Sequence, residues 1–428
     1  MVEQLIRNQQ VVSSNLIAGS RKIKGLSYRL SLFFDMSISL NHSSLRLLGF
    51  LYFVLFLRHG MIFPLIPLYV DRLGFSPSAI GMIVGCFSFM SMLLAIPIGR
   101  ITDRLGVRPL LLAGVAANIV HSLLLMKVQT LGLLLAAQLF GGLGFLLIIV
   151  SSQAYITGLS ETSLRERGFG LISLTSAVGQ MFGPFLGGTL LNWTTYSQVF
   201  GLSVLLACLG FCILWLKPQA SSTRTVSLSL RHSLGEIRSM LSSPYLLAVL
   251  SICFSVVFVA SLRSSFLPIL LQEKGFGPGL IGFLLSSFAV SMTGLRLFVG
   301  RLMGTVSRVR LMAVTLLLLI AGISALPLFA SASLLSLELL IFGLGFGLSQ
   351  PLTMVMVSDF RHSGLAMGLR FSVINLAAFS SPLLMGWVVH GLGLDWAFYL
   401  GGGCLVLVAG CLGIYAHRHV QQTGRSFF

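Results

Sequence analysis

A few polar side chains stand where the chain is otherwise apolar, and they set what chemistry is open to it. Arg58 and His59 adjoin each other near the middle of the apolar run 47–69, Arg263 lies in 245–270, Glu338 in 333–357, and Arg370 with Asn375 in 367–390. A guanidinium in such a place can bind an anionic solute or pair with a helix carbonyl, and both readings stand for Arg58. Holding a charge at mid-membrane costs about 2.5–3.5 kcal/mol, so each such group needs an interior partner or a wet cavity. Successive helical residues point about 100° apart, so Arg58 and His59 do not both face lipid. Arg370 and Arg296 lie near the ends of their runs, where they can snorkel; Arg370 can also pair with Asp359. For proton uptake the candidates are Glu338, the sole carboxylate within an apolar run, and the imidazoles of His59 and His121. A lone His in such a run is more often a hydrogen-bonded packing residue. Gln153, and Gln350 beside Pro351, offer uncharged contacts to a solute or simply bond within their own helices.

The pattern gives no support to covalent chemistry. No Ser/His/Asp or Cys/His constellation, phosphate-cradling loop or metal-ligand spacing stands out. The six cysteines (Cys86, Cys208, Cys212, Cys253, Cys404 and Cys411) all fall in apolar runs and read as free packing thiols. The expectation is a non-enzyme with no catalytic residues, cofactor or metal.

The elements that must position these groups are membrane helices. Apolar residues make up 56% of the 428 and charged ones 9%, with a mean hydropathy of +0.96, more apolar surface than a water-soluble core of this length hides. A crossing takes about 20 apolar residues, and twelve such runs lie between 47 and 416, six on each side of a polar stretch. The reading is an all-α membrane protein: cytoplasmic leader 1–45, first six-helix bundle 46–216, cytoplasmic linker 217–243, second bundle 244–417 and cytoplasmic tail 418–428. A short surface helix is expected near Leu234–Leu241.

The net charge of +17 is not a nucleic-acid signal. Basic residues gather in alternate connections, at Arg100, Arg104 and Arg108, at Arg165 and Arg167, at Lys217, Arg224, Arg231 and Arg238, at Arg301, Arg308 and Arg310, and at Arg361. The other connections hold only Arg72, Lys127 and Lys274. This alternation is the positive-inside signature and places both termini in the cytoplasm of a multi-pass protein of the cell (inner) membrane. Trp193, Trp215, Trp387 and Trp396 lie near span ends, as an interfacial belt would place them. The leader from Arg7 to Ser20 reads like a translated tRNA gene, which makes Met36 one candidate start; a cytoplasmic tail is the other reading.

The two bundles are copies. Pro67, Gly74, Phe75, Pro77, Ile80, Gly81, Gly99 and Arg100 recur 201 positions later as Pro268, Gly275, Phe276, Pro278, Ile281, Gly282, Gly300 and Arg301. A duplicated apolar chain points to a working surface where its halves meet. On this register Arg263 falls opposite Ile62, one turn from Arg58 and near enough the outer surface to snorkel.

Local wording then narrows the reading. After span 2 the chain runs Gly99-Arg100-Ile-Thr-Asp103-Arg104-Leu-Gly106-Val-Arg108, with glycines suited to a tight turn and a carboxylate able to accept bonds from a neighbouring helix. Span 5 carries Gly179-Gln-Met-Phe-Gly183-Pro184-Phe-Leu-Gly187-Gly188, and span 1 carries Phe63-Pro64-Leu-Ile-Pro67-Leu-Tyr69 followed by Asp71-Arg72-Leu-Gly74. With these motifs the chain resembles the major facilitator superfamily, and within it the 12-helix drug/proton antiporter branch. The resemblance implies two pseudo-symmetric bundles rocking about a midplane cavity lined by spans 1, 4, 7 and 10. It also implies that Gly99, Arg100, Asp103, Arg104, Gly106 and Arg108 form a conformational latch, and that Gly179, Gly183, Pro184, Gly187 and Gly188 are an exporter motif. The second latch copy is eroded, with Gly304 at the place of Asp103.

One position departs from that branch. Where its exporters place an arginine in span 4, this chain has Gln138, a permanently neutral amide, which weakens the carry-over of proton coupling. The expected substrate cavity therefore comprises Arg58, His59, Gln138, Gln153, Arg263 and Gln350, with His59 and Glu338 as proton-coupling candidates. More Arg than acid within spans tilts the cargo toward neutral lipophilic or anionic compounds. The functions weighed are proton-coupled efflux, uptake or exchange of an organic anion or metabolite, and a non-transporting receptor or scaffold. The expected partners are membrane lipid, a small-molecule substrate and protons, without nucleic acid, for a protein working as a monomer.

Overall fold

A computed structural model describes residues 43–127, 129–159, 162–216, 240, 242–358 and 363–423. The leader to residue 42, the linker with its expected surface helix around Leu234, Asp359 and the last five residues of the tail lie outside these. Leu47–Phe428 forms one compact unit, and Met1–Arg46 another, of which only residues 43–46 are described. Among the described residues twelve helices are long and apolar enough to cross a membrane, from Ser44–Arg72 to Leu394–Ile414, six before the linker and six after it. Span 1 is two helices, Ser43–Ile62 and Leu65–Arg72. The break falls at Pro64, which has no N–H to donate and whose ring crowds the preceding turn. Its φ of −71° and ψ of −20° stay helical, so the span bends without turning back.

The duplication is written into the backbone. Span 1 ends with Gly74 at φ +81° and span 7 (Pro244–Glu273) with Gly275 at φ +85°, the left-handed geometry that suits glycine after a helix. The bonds that close the two turns match one for one. Leu73 N donates to Tyr69 O and Lys274 N to Leu270 O, both at 3.1 Å; Gly74 N donates to Asp71 O at 2.8 Å and Gly275 N to Gln272 O at 2.9 Å. Ile80 N to Ser76 O and Ile281 N to Gly277 O, both at 3.0 Å, then open spans 2 and 8. Every donor and acceptor here is shifted by the same 201 residues.

The halves meet along two matching seams. Span 2 (Pro77–Ala95) packs on span 11 (Ala366–Leu392), and span 8 (Pro278–Arg296) on span 5 (Ser163–Leu191). A Cβ placed on Gly81 would lie 3.2 Å from Gly386 Cα, and one on Gly282 would lie 3.2 Å from Gly188 Cα, so exchanging the halves exchanges the seams. The close glycine contacts between halves that the described residues make all lie toward the Gly74 and Gly275 turns. At the basic end, Gly99, Gly300, Gly304 and Gly368 have open space around them. The structure is closed at one end and splayed at the other. Spans 1 and 7 are the most deeply buried of the twelve, which puts their polar residues at the centre.

Candidate functional site

Arg58 is 2% exposed and gives its entire fork to span 3 (Val107–Lys127). Nε donates to Ser122 Oγ at 3.2 Å and Nη1 to Asn118 Oδ1 at 3.0 Å. Nη2 reaches Ser122 Oγ at 2.6 Å, Asn118 O at 2.9 Å and His121 Nδ1 at 3.2 Å. Of the two readings of Arg58, the geometry supports the structural pairing: all three of its nitrogens are bonded to span 3. A guanidinium donates only, so His121 Nδ1 accepts and the ring proton sits on Nε2. That Nε2 is buried without a partner among the described residues. Asn118 and Ser122 were missed in the sequence, where an amide and a hydroxyl one turn apart carry little signal until their face is known.

Next to this network His59 is half-buried in an aromatic box, with ring centroids of Phe63 and Phe145 at 4.9 Å and Phe87 at 5.3 Å. Phe87 and Phe145 also touch each other, at 5.6 Å. The second half repeats that pair: Phe288 and Phe346, each 201 residues later, stand 5.8 Å apart. Against it lies Arg263, 8% exposed, its guanidinium carbon 3.8 Å from the Phe288 centroid and 5.7 Å from Phe342. Arg263 therefore does not snorkel. The phenylalanines escaped sequence reading because Phe in an apolar run looks like lipid-facing bulk; extending the 201-residue register past the glycines would have found them.

The remaining candidates disperse. Gln138 is wholly buried in span 4 (Leu131–Thr157), with both amide atoms lacking a partner among the described residues. Gln153 is exposed nearer the basic end of the same span. Gln350 in span 10 (Ala332–Ser358) is engaged: Arg370 Nη2 donates to its Oε1 at 2.7 Å and to Thr353 Oγ1 at 3.2 Å. Arg370 is thus fixed between spans 10 and 11 instead of snorkelling. Glu338 is half-buried, its Oε2 without a partner among the described residues.

The two motifs differ in state. Span 2 continues as helix through Leu105, so Gly99 is helical and the turn falls at Gly106 alone, at φ +82°. Arg108 Nη2 donates to Trp215 O at 3.1 Å, Arg100 and Arg104 are exposed, and Asp103 bonds to no described residue. The span-5 motif is fully packed. Side chains at Gly179 and Gly183 would strike span 1 at Leu57 and Gly60, one at Gly187 would strike Met61, and one at Gly188 would strike Pro278 of the other half. Phe185 N, beside Pro184, donates across the halves to Ser286 Oγ at 3.1 Å, and Gly279 N donates to Asn192 Oδ1 at 3.1 Å.

A family model described as Major Facilitator Superfamily matches residues 48–363. Multidrug resistance protein 1 of Bacillus subtilis (strain 168) is 24% identical over 258 residues, 60% of this chain and 63% of that protein. Quinolone resistance protein NorA of Staphylococcus aureus is 24% identical over 136 residues, 32% of this chain and 35% of that one. The chain thus spans less than two thirds of the length of these curated relatives. Among solved structures, the human organic anion transporter MFSD10 (TETRAN) superposes with a TM-score of 0.63 at 19% identity, covering 85% of this chain and 97% of that one. The nucleoside transporter NupG does so with a TM-score of 0.72 at 14%, covering 86% and 98%. At such identities these likenesses concern the fold.

Proposed function

Because the chain belongs to the major facilitator superfamily, we propose that it expels small lipophilic or anionic compounds in exchange for protons, by alternating access. Membership makes it a twelve-span membrane transporter of small molecules and not an enzyme. The observation that carries the outward direction is the complete span-5 motif, set between span 1 of its own half and span 8 of the other. The names of the drug-resistance relatives support the same direction. Asp103, free of partners among the described residues in this splayed state, is the acceptor of a latch that closes when the basic ends meet. His59 and Glu338 are the groups offered for the coupled proton, and the cell membrane, with both termini cytoplasmic, is the proposed setting for a monomer.

Inverted membrane vesicles loaded with a panel of fluorescent lipophilic and anionic dyes test this. Accumulation driven by an acid interior and collapsed by a protonophore is the expected result. Accumulation indifferent to the proton gradient would overturn it. A second reading, uptake or exchange of an organic anion, is favoured by Arg263, a buried cation with no hydrogen-bond acceptor at its Nε among the described residues, and predicts accumulation in right-side-out vesicles instead.

A further inference from the structure

We propose that Arg263 and the Phe288–Phe346 pair form the subsite that grips the anionic group, carboxylate or sulfonate, of an aromatic acid. This rests on the transporter reading above and gives its cargo a chemical class. Arg58 and Arg370 supply the comparison. Arg58 spends Nε and both Nη atoms on Ser122, Asn118 and His121, and Arg370 meets Gln350 and Thr353. Arg263 is also buried, at 8% exposed, yet among the described residues its guanidinium meets only ring faces, and its Nε is buried with no acceptor. A ring face returns only part of what a permanent cation loses on leaving water, so the site is electrostatically incomplete as it stands.

The geometry says what would complete it. A guanidinium lying 3.8 Å over Phe288 has its face covered, while its N–H groups project in the plane, the direction from which a carboxylate or sulfonate is held by two parallel bonds. Phe346 is half-buried and contacts Phe288 at 5.8 Å, offering a flat partner for an aromatic body attached to the anion. The first half has the matching pair, Phe87 and Phe145, with the imidazole of His59 against it in place of a guanidinium. A cation therefore lies on the phenylalanine pair in the second half alone, since Arg58 of the first half is turned onto span 3, and a cation so placed selects for the sign of the cargo's charge and not merely its greasiness.

The test is equilibrium binding to the full chain in nanodiscs, with 2-naphthalenesulfonate, its cationic counterpart 2-naphthylmethylammonium, and octanoate as probes. Wild type is expected to bind the sulfonate at least tenfold tighter than the ammonium. Arg263→Gln should lose about tenfold or more of that affinity, with Arg263→Lys recovering part of it. Equal sulfonate affinity in wild type and a monodisperse Arg263→Gln, or no preference over the ammonium in wild type, overturns the proposal. If Arg263→Gln does not assemble, Phe346→Leu serves: it should weaken the sulfonate and spare octanoate, and equal loss of both would count against the subsite. Binding needs neither a gradient nor a direction, so failure of proton-driven efflux would leave this result intact, and the reverse also holds.

Discussion

Arg58 and Arg263 stand one helical turn apart when the repeats are laid over each other, and they meet opposite surroundings. Arg58 is a keystone, with five bonds onto a single neighbouring helix. Truncating a buried charge of this kind strands its partners, so Arg58→Ala should destabilise the protein by about 3 kcal/mol, and Arg58→Lys should not restore it, since an ammonium cannot reach four acceptors at once. Arg263 without cargo has no hydrogen-bonded partner among the described residues to lose. Arg263→Met should therefore hold or raise the melting temperature in detergent. Equal destabilisation by Arg58→Ala and Arg263→Met would make Arg263 a structural residue too. The apolar runs announced that both arginines matter. They could not say which was spoken for, because a partner depends on how span 1 is rotated against span 3, and no spacing within one helix records that.

At the scale of elements, span 5 is a wedge with a face for each half. Its glycines four apart bring it backbone to backbone with span 1, and Gly188 presses on span 8. The second half solves the same contact differently. Ser381, at the place of Gly183, donates to Phe258 O at 2.6 Å, and Phe258 is the repeat mate of Leu57, whose carbonyl lines the Gly183 contact. One hydroxyl replaces close approach. The cross-half bond from Phe185 N to Ser286 Oγ has no such counterpart, since Gly85 stands where Ser286 repeats. Ser286→Ala removes a bond worth about 1 kcal/mol, enough for roughly a fivefold shift away from the splayed state. Thiol-labelling rates at cysteines placed along the closed seam should rise accordingly; unchanged rates would show that the bond does not bias the equilibrium. The glycine and proline wording, the twelve spans and the duplication were legible because each depends on composition or local spacing. The seams were not, since which glycines face the other half follows from tertiary packing.

For the whole molecule, the proposed cycle is a tilt of the halves about the matched seams, in which the Gly74 and Gly275 end would open and the basic ends would close on Asp103. Coupling to cargo requires that each solute favour one arrangement over the other. The most direct measurement is electron spin resonance distances on a background with the six cysteines changed to serine. One label pair sits at exposed Leu105 and Leu297 at the basic ends of spans 2 and 8, and the other at exposed Trp193 and Trp396 at the closed end. On adding 2-naphthalenesulfonate or shifting pH, the account predicts that the Leu105–Leu297 distance shortens as the Trp193–Trp396 distance lengthens. Two distances that stay fixed, or that grow and shrink together, would contradict it.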